Sequence, residues 1–252
     1  MGFRDAASSF EMVEPLDGFT RLTQQRRVRL GDVSPGSRMR LDAMVRFLQD
    51  IANDDARGSG WSDPHGWVVR RTVVDVHRFP MYLDDVSVST WCGGVGSHWA
   101  ERRTRVEAST GEVLVDAAAL WVHIDMESMR PTVMPDDVAD ALQRAGVSRK
   151  VSSKLVLKTK EFAHTHESQW ALRFSDFDSL GHVNNAAYWE VAEEVLSTRR
   201  EWRAGIRGIV EHVHELPPSP AVTVLTNVGD DGASILLQTP GTVHAAMWVG
   251  PR

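Results

Sequence analysis

The chain contains two similar halves, and this internal repeat constrains its fold more than any other feature. Three short segments of the first half recur in the same order in the second half. The separation between matching segments falls along the chain from 144 to 137 to 127 positions, which indicates shorter loops in the second copy. Such repetition predicts that one supersecondary unit is built twice. The matching segments are Arg29–Asp32 with Arg173–Asp176, Val76–His77 with Val213–His214, and Ala118–Val122 with Ala245–Val249.

Each copy predicts a helix followed by antiparallel strands. Apolar residues three and four positions apart follow the first segment of each copy, which is the spacing that buries one helix face. Alternating patterns then predict strands at 86–89 and 222–225. A helix covering one face of an antiparallel sheet gives an α+β fold class. The helix positions are Leu41, Met44, Val45, Leu48 and Ala52, and then Tyr188, Val191, Ala192 and Val195. Turns are predicted at Gly93-Gly94, Thr110-Gly111, Asp231-Gly232 and Pro240-Gly241.

The repeat also divides the chain into segments. A short helix is predicted at Asp136–Ala145, between a proline and a glycine, in the stretch that connects the two copies. The expected segments are an N-terminal tail at 1–20, a first repeat at 21–132, a connector at 133–166 and a second repeat at 167–252.

Composition and charge narrow the classes of function. The net charge of −6 argues against a general affinity for nucleic acid or for an anionic membrane. The single cysteine, Cys92, excludes an internal disulfide framework and any multi-cysteine metal site, and we expect it to be a small core residue. No secretory signal or long apolar run is visible, so a cytoplasmic location is expected. Four arginine pairs are expected on solvated faces: Arg26-Arg27, Arg70-Arg71, Arg102-Arg103 and Arg199-Arg200.

The stretch just ahead of the second helix concentrates polar residues that can do chemistry. Asp178 and His182 are candidates for a general base or for the group that orients a water molecule. Gly181 would let the backbone approach a ligand. Asn184 or Asn185 is expected to cap the helix, whose first backbone N–H groups can polarise a carbonyl or hold a developing oxyanion.

This stretch resembles the signature of the hotdog-fold thioesterases, and the duplication resembles the acyl-acyl-carrier-protein (acyl-ACP) thioesterases of plants and bacteria, which carry two hotdog repeats in one chain. The resemblance implies two tandem hotdog repeats, each a long helix wrapped by an antiparallel sheet, that form one continuous double-hotdog unit. It also gives the first repeat the task of holding the acyl chain. The motif reads Asp178-x-x-Gly181-His182-Val183-Asn184-Asn185-x-x-Tyr188, followed by a glutamate at 193 or 194.

The same resemblance implies a catalytic set of Asp178, His182 and Glu215, and no metal or cofactor. The sequence departs from the plant pattern at two positions. Leu180 stands where the family has an asparagine, and Leu216 stands where it has a cysteine. A cysteine nucleophile is therefore excluded at that position, and the asparagine role is vacant or has moved to Asn184 or Asn185.

The first repeat lacks the matching catalytic residues, which predicts an active site in the second repeat and a degenerate site in the first. Ser37 follows Gly36 where a histidine would be needed, and Arg78 stands at the position matching Glu215. In the hypothetical mechanism, the thioester carbonyl lies near 183–185, and Glu215 or Asp178 activates water or attacks as the nucleophile. Val183 contributes to this positioning region.

Several alternatives remain open at this level. The carrier is acyl carrier protein or coenzyme A, and one arginine pair could dock an acidic carrier. A homodimer is compatible with the sequence. A hotdog hydratase or dehydratase would also use aspartate and histidine, whereas a non-catalytic acyl-ligand sensor would bind without turnover.

Overall fold

A computed structural model describes residues 2–15, 21–60, 66–218 and 222–252. Of the predicted tail at 1–20, residues 16–20 lie outside the described residues. The helices are α1 (Phe3–Ser8), α2 (Leu41–Gly58), α3 (Asp136–Arg144) and α4 (Tyr188–Thr198). The strands are β1 (Leu22–Arg27), β2 (Trp67–Val76), β3 (Asp85–Val95), β4 (Trp99–Ala108), β5 (Val113–Asp125), β6 (Arg130–Pro131), β7 (His166–Trp170), β8 (Ile206–His212), β9 (Val222–Gly229), β10 (Gly232–Thr239) and β11 (Thr242–Pro251).

Ten strands form one antiparallel sheet whose order is β1-β3-β4-β5-β2-β8-β11-β10-β9-β7, and β6 pairs with β5. Counted inward from either edge of the sheet, the strands of each half follow the same order: first, third, fourth, fifth and second. The second half therefore repeats the connectivity of the first half. The two halves join where β2 pairs with β8, from Arg71 opposite Glu211 to Val76 opposite Ile206. The α+β class predicted from the sequence is confirmed.

The long helices pack on the inner face of this sheet, as the apolar spacing predicts. Every apolar position predicted for α2 is buried. In α4 the predicted positions are buried except Val195, which is partly buried and packs on the same core. The short helix of the connector is also confirmed as α3, whose Val138 and Leu142 pack near Trp67 and Cys92.

The outer face of the central strands is covered by the chain terminus and the connector. Ala6 and Ala7 of α1 are fully buried there, and Leu157 of the connector packs in the same cluster as Ile209 and Trp248. No helix in the described parts of the chain is both long and apolar enough to cross a lipid bilayer.

The turn preceding each long helix has the same geometry in both halves, at a constant separation of 144 positions. Short 3-10 turns lie at Leu30–Asp32 and Phe174–Asp176. The bridge between Val33 and Met39 corresponds to the bridge between Phe177 and Val183. The sequence comparison matched Gly36 with Gly181, whereas these bridges match Ser37 with Gly181, one position further on. The backbone conformation of Ser37 supports the second match.

Ser37 has φ of 61° and Gly181 has φ of 77°, so these two residues occupy the same left-handed position. Arg38, and not Ser37, is therefore the counterpart of His182. The sequence comparison matched glycine to glycine, whereas the fold matches the residues with the same backbone conformation.

The turn predicted at Gly93-Gly94 is wrong, although the other three turns are found where predicted. Both glycines lie inside β3, at a shift in its pairing with β4. A Cβ at Gly93 would lie 2.5 Å from Cγ of Arg103, and one at Gly94 would lie 2.6 Å from Cγ1 of Val151. These glycines serve close packing, and the chain turns just after β3.

Two of the arginine pairs expected on solvated faces are partly buried. Arg71 and Arg103 are 5% and 2% exposed. Arg103 is held by Glu101, with 2.7 Å between Nη2 and Oε1. The burial of Arg71 escaped the sequence interpretation because it donates to the carbonyls of Ser152 and Lys154 in the connector. The burial of Arg103 escaped it because Met12, from the start of the chain, contacts its guanidinium.

Candidate active site

An open cavity of about 1120 Å³ lies between the two halves and has the predicted site residues at one end. Its walls in the first half come from α2, β2, β4, β5 and α3. In the second half it is bounded by Asp178, His182, Val183, Asn184, Asn185, Tyr188 and Glu215. The fold thus brings together every predicted site residue except Gly181, which lies in the adjoining turn and does not line the cavity.

Asp178 shapes the loop that presents His182. Its Oδ1 accepts hydrogen bonds from the backbone N–H groups of Leu180, at 2.9 Å, and His182, at 3.4 Å. Gly181 adopts the positive φ that this turn needs, which glycine does at little cost. Leu180 is 52% exposed and lines the cavity.

The helix cap was predicted wrongly at Asn184 or Asn185. Helix α4 begins at Tyr188, with Ala187 as its N-cap residue. The chain first makes a separate turn, in which Oδ1 of Asn184 accepts from the N–H of Ala186 at 2.8 Å. Because of this turn, α4 begins three positions after Asn185. Within the described part of the chain, the backbone N–H groups of Asn185 and Tyr188 have no hydrogen-bond acceptor.

His182 and Glu215 form the central polar pair of the cavity. The distance between Nε2 of His182 and Oε2 of Glu215 is 3.3 Å, and their side chains are 32% and 60% exposed. Glu215 lies in the loop after β8 and not on a strand. Strand β8 ends at His212, opposite Ala245, and the two prolines after Leu216 cannot donate hydrogen bonds to a ladder.

The loop bearing Glu215 is fixed by two residues that the sequence interpretation missed. Nδ1 of His244 lies 2.7 Å from the carbonyl oxygen of Glu215, and its Nε2 lies 2.8 Å from Oγ1 of Thr239. These partners assign the ring proton to Nδ1, because a carbonyl can only accept. From the first half, Arg70 donates to the carbonyls of His212 and Val213. No local sequence signal marks either contact.

Burial and charge set the protonation of three groups around the cavity. Burial, with smaller contributions from Asp178 and Glu215, raises the pKa of Tyr188, so its hydroxyl stays protonated. Burial, helped by Arg70, lowers the pKa of His212 to about 4, so its ring is neutral at pH 7. Burial also raises the pKa of Cys92 to about 11, which makes it a poor nucleophile.

The matching place in the first half is filled by an ion pair. Arg38 donates from Nη2 to Oε1 of Glu193 at 2.6 Å, and from Nη1 to Oε2 at 3.1 Å. The backbone N–H of Leu41 donates to the same Oε2 at 3.1 Å. Both side chains are less than 10% exposed. A carboxylate of the protein itself therefore occupies the position where the second half has an open cavity.

A large antiparallel sheet carrying few helices defines an α+β fold that solved thioesterase structures share. Solved structures support this class. A 12:0-ACP thioesterase from Umbellularia californica superposes with a TM-score of 0.77 at 24% identity, covering 92% of this chain and 97% of that one. An acyl-ACP thioesterase from Bacteroides thetaiotaomicron superposes with a TM-score of 0.77 at 17% identity, covering 91% and 97%.

Sequence comparison identifies the family. The model for the acyl-ACP thioesterase N-terminal domain matches residues 20–142, and the model for the C-terminal domain matches residues 159–236. The chain therefore belongs to the acyl-ACP thioesterase family, and it is a thioester hydrolase.

Individual relatives are distant. An acyl-[acyl-carrier-protein] hydrolase of Cuphea viscosissima is 27% identical over 210 residues, which cover 71% of this chain and 51% of that protein. The chain thus spans about half the length of this plant relative. An uncharacterised protein of Mycobacterium tuberculosis is 23% identical over 221 residues, which cover 87% of this chain and 88% of that protein.

Proposed function

We propose that this protein hydrolyses a fatty acyl-ACP to free fatty acid and ACP thiol, at one site in its second half. The observation that carries the proposal is the His182–Glu215 pair at one end of a cavity that extends into the first half. Family membership supports acyl-ACP as the substrate, and acyl-CoA is the alternative carrier. A cytoplasmic location and a homodimer remain predictions from the sequence.

We further propose that the two halves are tandem hotdog repeats forming one continuous double-hotdog unit. The mirrored strand order and the constant separation of the two pre-helix turns support this arrangement. The proposed boundaries remain 21–132 and 167–252 for the repeats and 133–166 for the connector.

In the proposed mechanism, Glu215 acts as the general base. Its exposed carboxylate removes a proton from water, and the water oxygen attacks the thioester carbonyl carbon. The charge that develops on the carbonyl oxygen is held by the free N–H of Asn185 in the turn before α4. The tetrahedral intermediate then collapses and the C–S bond breaks. The proton that Glu215 took from water passes through His182 to the departing sulfur, which restores the Glu215 carboxylate.

The other predicted residues position these groups. Asp178 and Gly181 set the turn that presents His182. Val183 is buried, and its N–H donates to the carbonyl of Leu216 at 3.4 Å, which ties the histidine loop to the glutamate loop. Asn184 holds the turn before α4. Asp178 is thus a positioning residue in this proposal, because one of its oxygens already accepts backbone hydrogen bonds.

A hydrolysis panel tests the function. Acyl-ACPs and acyl-CoAs over a series of chain lengths are incubated with the protein, and free thiol is measured. Release from acyl-ACPs is expected, with a loss of about 100-fold or more in kcat for Glu215→Ala and a smaller loss for Asp178→Ala. Glu112→Ala, which removes an exposed carboxylate of the first half, is the matched control and should retain activity.

Other outcomes would select the alternatives. Ligand binding without thiol release from any thioester would favour the acyl-ligand sensor. Water addition to an enoyl thioester, without thiol release, would favour the hydratase.

A further inference from the structure

The ion pair of the first half shows what the second half is shaped to bind. Its carboxylate oxygens are held by the side chain at 38 and the backbone N–H at 41. At the separation of 144 positions, these correspond to the side chain of His182 and the backbone N–H of Asn185. The second pair of groups has the same relationship along the chain. Glu215 contacts only its His182 member, and among the described residues no carboxylate accepts from the N–H of Asn185.

The residue that fills the first half also has a counterpart. Glu193 lies on α4 and reaches across to the opposite half, and the position 144 residues earlier is Gln49 on α2. Gln49 is half-buried and lines the cavity together with His182 and Asn185. Its side chain makes no hydrogen bond within the part of the chain that the structure describes. An unpaired amide thus faces the cavity where its counterpart is a paired carboxylate.

The difference between glutamate at 193 and glutamine at 49 explains why the first site is filled by the protein and the second is open. A glutamate at 49 could accept from the N–H of Asn185 and pair with His182, and so close the site as Glu193 closes the first one. A glutamine carries no charge, and its NH₂ group can donate to an oxygen. The open half therefore presents two donors to an oxygen placed between them, one on α2 and one in the turn before α4.

We propose that the side-chain amide of Gln49 binds the thioester carbonyl oxygen together with the backbone N–H of Asn185. This inference rests on the proposed function for the identity of the oxygen. The active site is then completed by the first half, and α2 contributes to carbonyl recognition in addition to covering the sheet.

Gln49→Met tests the donor, because methionine is similar in length, is unbranched and forms helices well. We expect kcat for acyl-ACP to fall by about 10- to 100-fold with little change in KM, as for loss of a donor that acts mainly on the transition state. Gln143→Met on α3 is the matched control, because that residue is exposed, and it should keep the wild-type kcat. A kcat within twofold of wild type for Gln49→Met would overturn the inference while leaving the proposed function intact.

Gln49→Glu gives a second readout that needs no turnover. A carboxylate at 49 should raise the pKa of the His182 ring by about one unit or more, measured by NMR and assigned with a His182→Gln variant. The other charged or titratable groups that line the cavity are Asp50, Arg57, Arg70, Cys92, Glu101, Arg102, Asp178, Tyr188, His212, His214 and Glu215, and none of them is changed by the substitution. Gln143→Glu, which adds the same charge elsewhere, should leave the pKa of His182 unchanged.

The two readouts separate the possible failures. A raised His182 pKa in a protein that releases no thiol would place residue 49 correctly and refute the proposed function. An unchanged His182 pKa in Gln49→Glu would refute the placement of residue 49 whether or not the wild type hydrolyses thioesters.

Discussion

Removing the Glu193 carboxylate should destabilise the protein strongly. Glu193 accepts three hydrogen bonds, two from the guanidinium of Arg38 and one from the N–H of Leu41. Glu193→Ala leaves the guanidinium buried without its counter-charge, over the ring of Phe79, and leaves the N–H of Leu41 unpaired. Loss of one partner of a buried pair costs about 3 to 5 kcal/mol of unfolding free energy.

Urea unfolding of the wild type and the variant measures this change, with the midpoint and slope fitted by linear extrapolation. Glu112→Ala is the control, because its ion pair with Arg78 is about half exposed and should contribute little to stability. The double variant Arg38→Met with Glu193→Met should cost less than Glu193→Ala, because it removes both charges. A cost below about 1 kcal/mol for Glu193→Ala, or a double variant that is less stable than the single one, would refute the reasoning.

Three further predictions follow from the residues around the cavity. The pKa of His212 is about 4 in the folded protein and 6.5 unperturbed, so on acidification the unfolded chain binds a proton before the folded protein does. The free energy of unfolding should therefore fall as pH drops from 6.5 to 4, by at most roughly 3 kcal/mol. Urea unfolding measured against pH should show a weaker pH dependence for His212→Phe than for the wild type. His244→Ala should lower kcat by about 10-fold through loss of the Glu215 anchor, and His244→Asn, which keeps a donor near Nδ1, should recover part of it in the thiol-release assay. Gly181→Ala should cost about 1 to 2 kcal/mol in thermal unfolding, because φ of 77° is strained for alanine, whereas a variant as stable as wild type would contradict that account.

The sequence predicts much of the fold because repetition and apolar spacing are local signals. The positions of α2, α3 and α4 follow from where apolar residues recur, and the matched segments locate the strands on each side of the junction between β2 and β8. Local patterns do not report how distant backbones approach each other. Gly93 was therefore interpreted as a turn residue, when it makes room for Arg103.

The candidate site was only partly predictable for the same reason. Asp178, His182 and Glu215 are identifiable from the motif and its spacing, but the anchoring of Glu215 by His244 depends on a strand that comes 29 residues later. The burial of Arg38 could not be found without the partner Glu193, 155 positions away. The helix cap was misplaced because Asn184 closes a separate turn before α4 begins.

The most direct test of the central claim, one active site in the second half, compares two matched substitutions in acyl-ACP hydrolysis. Glu215→Gln removes the proposed base, and Arg78→Gln changes the residue at the corresponding position of the first half, which lies on the surface in a pair with Glu112. The account predicts that kcat falls by about 100-fold or more for Glu215→Gln and stays within twofold of wild type for Arg78→Gln. Wild-type turnover by Glu215→Gln, measured as thiol release from a folded protein, would contradict it.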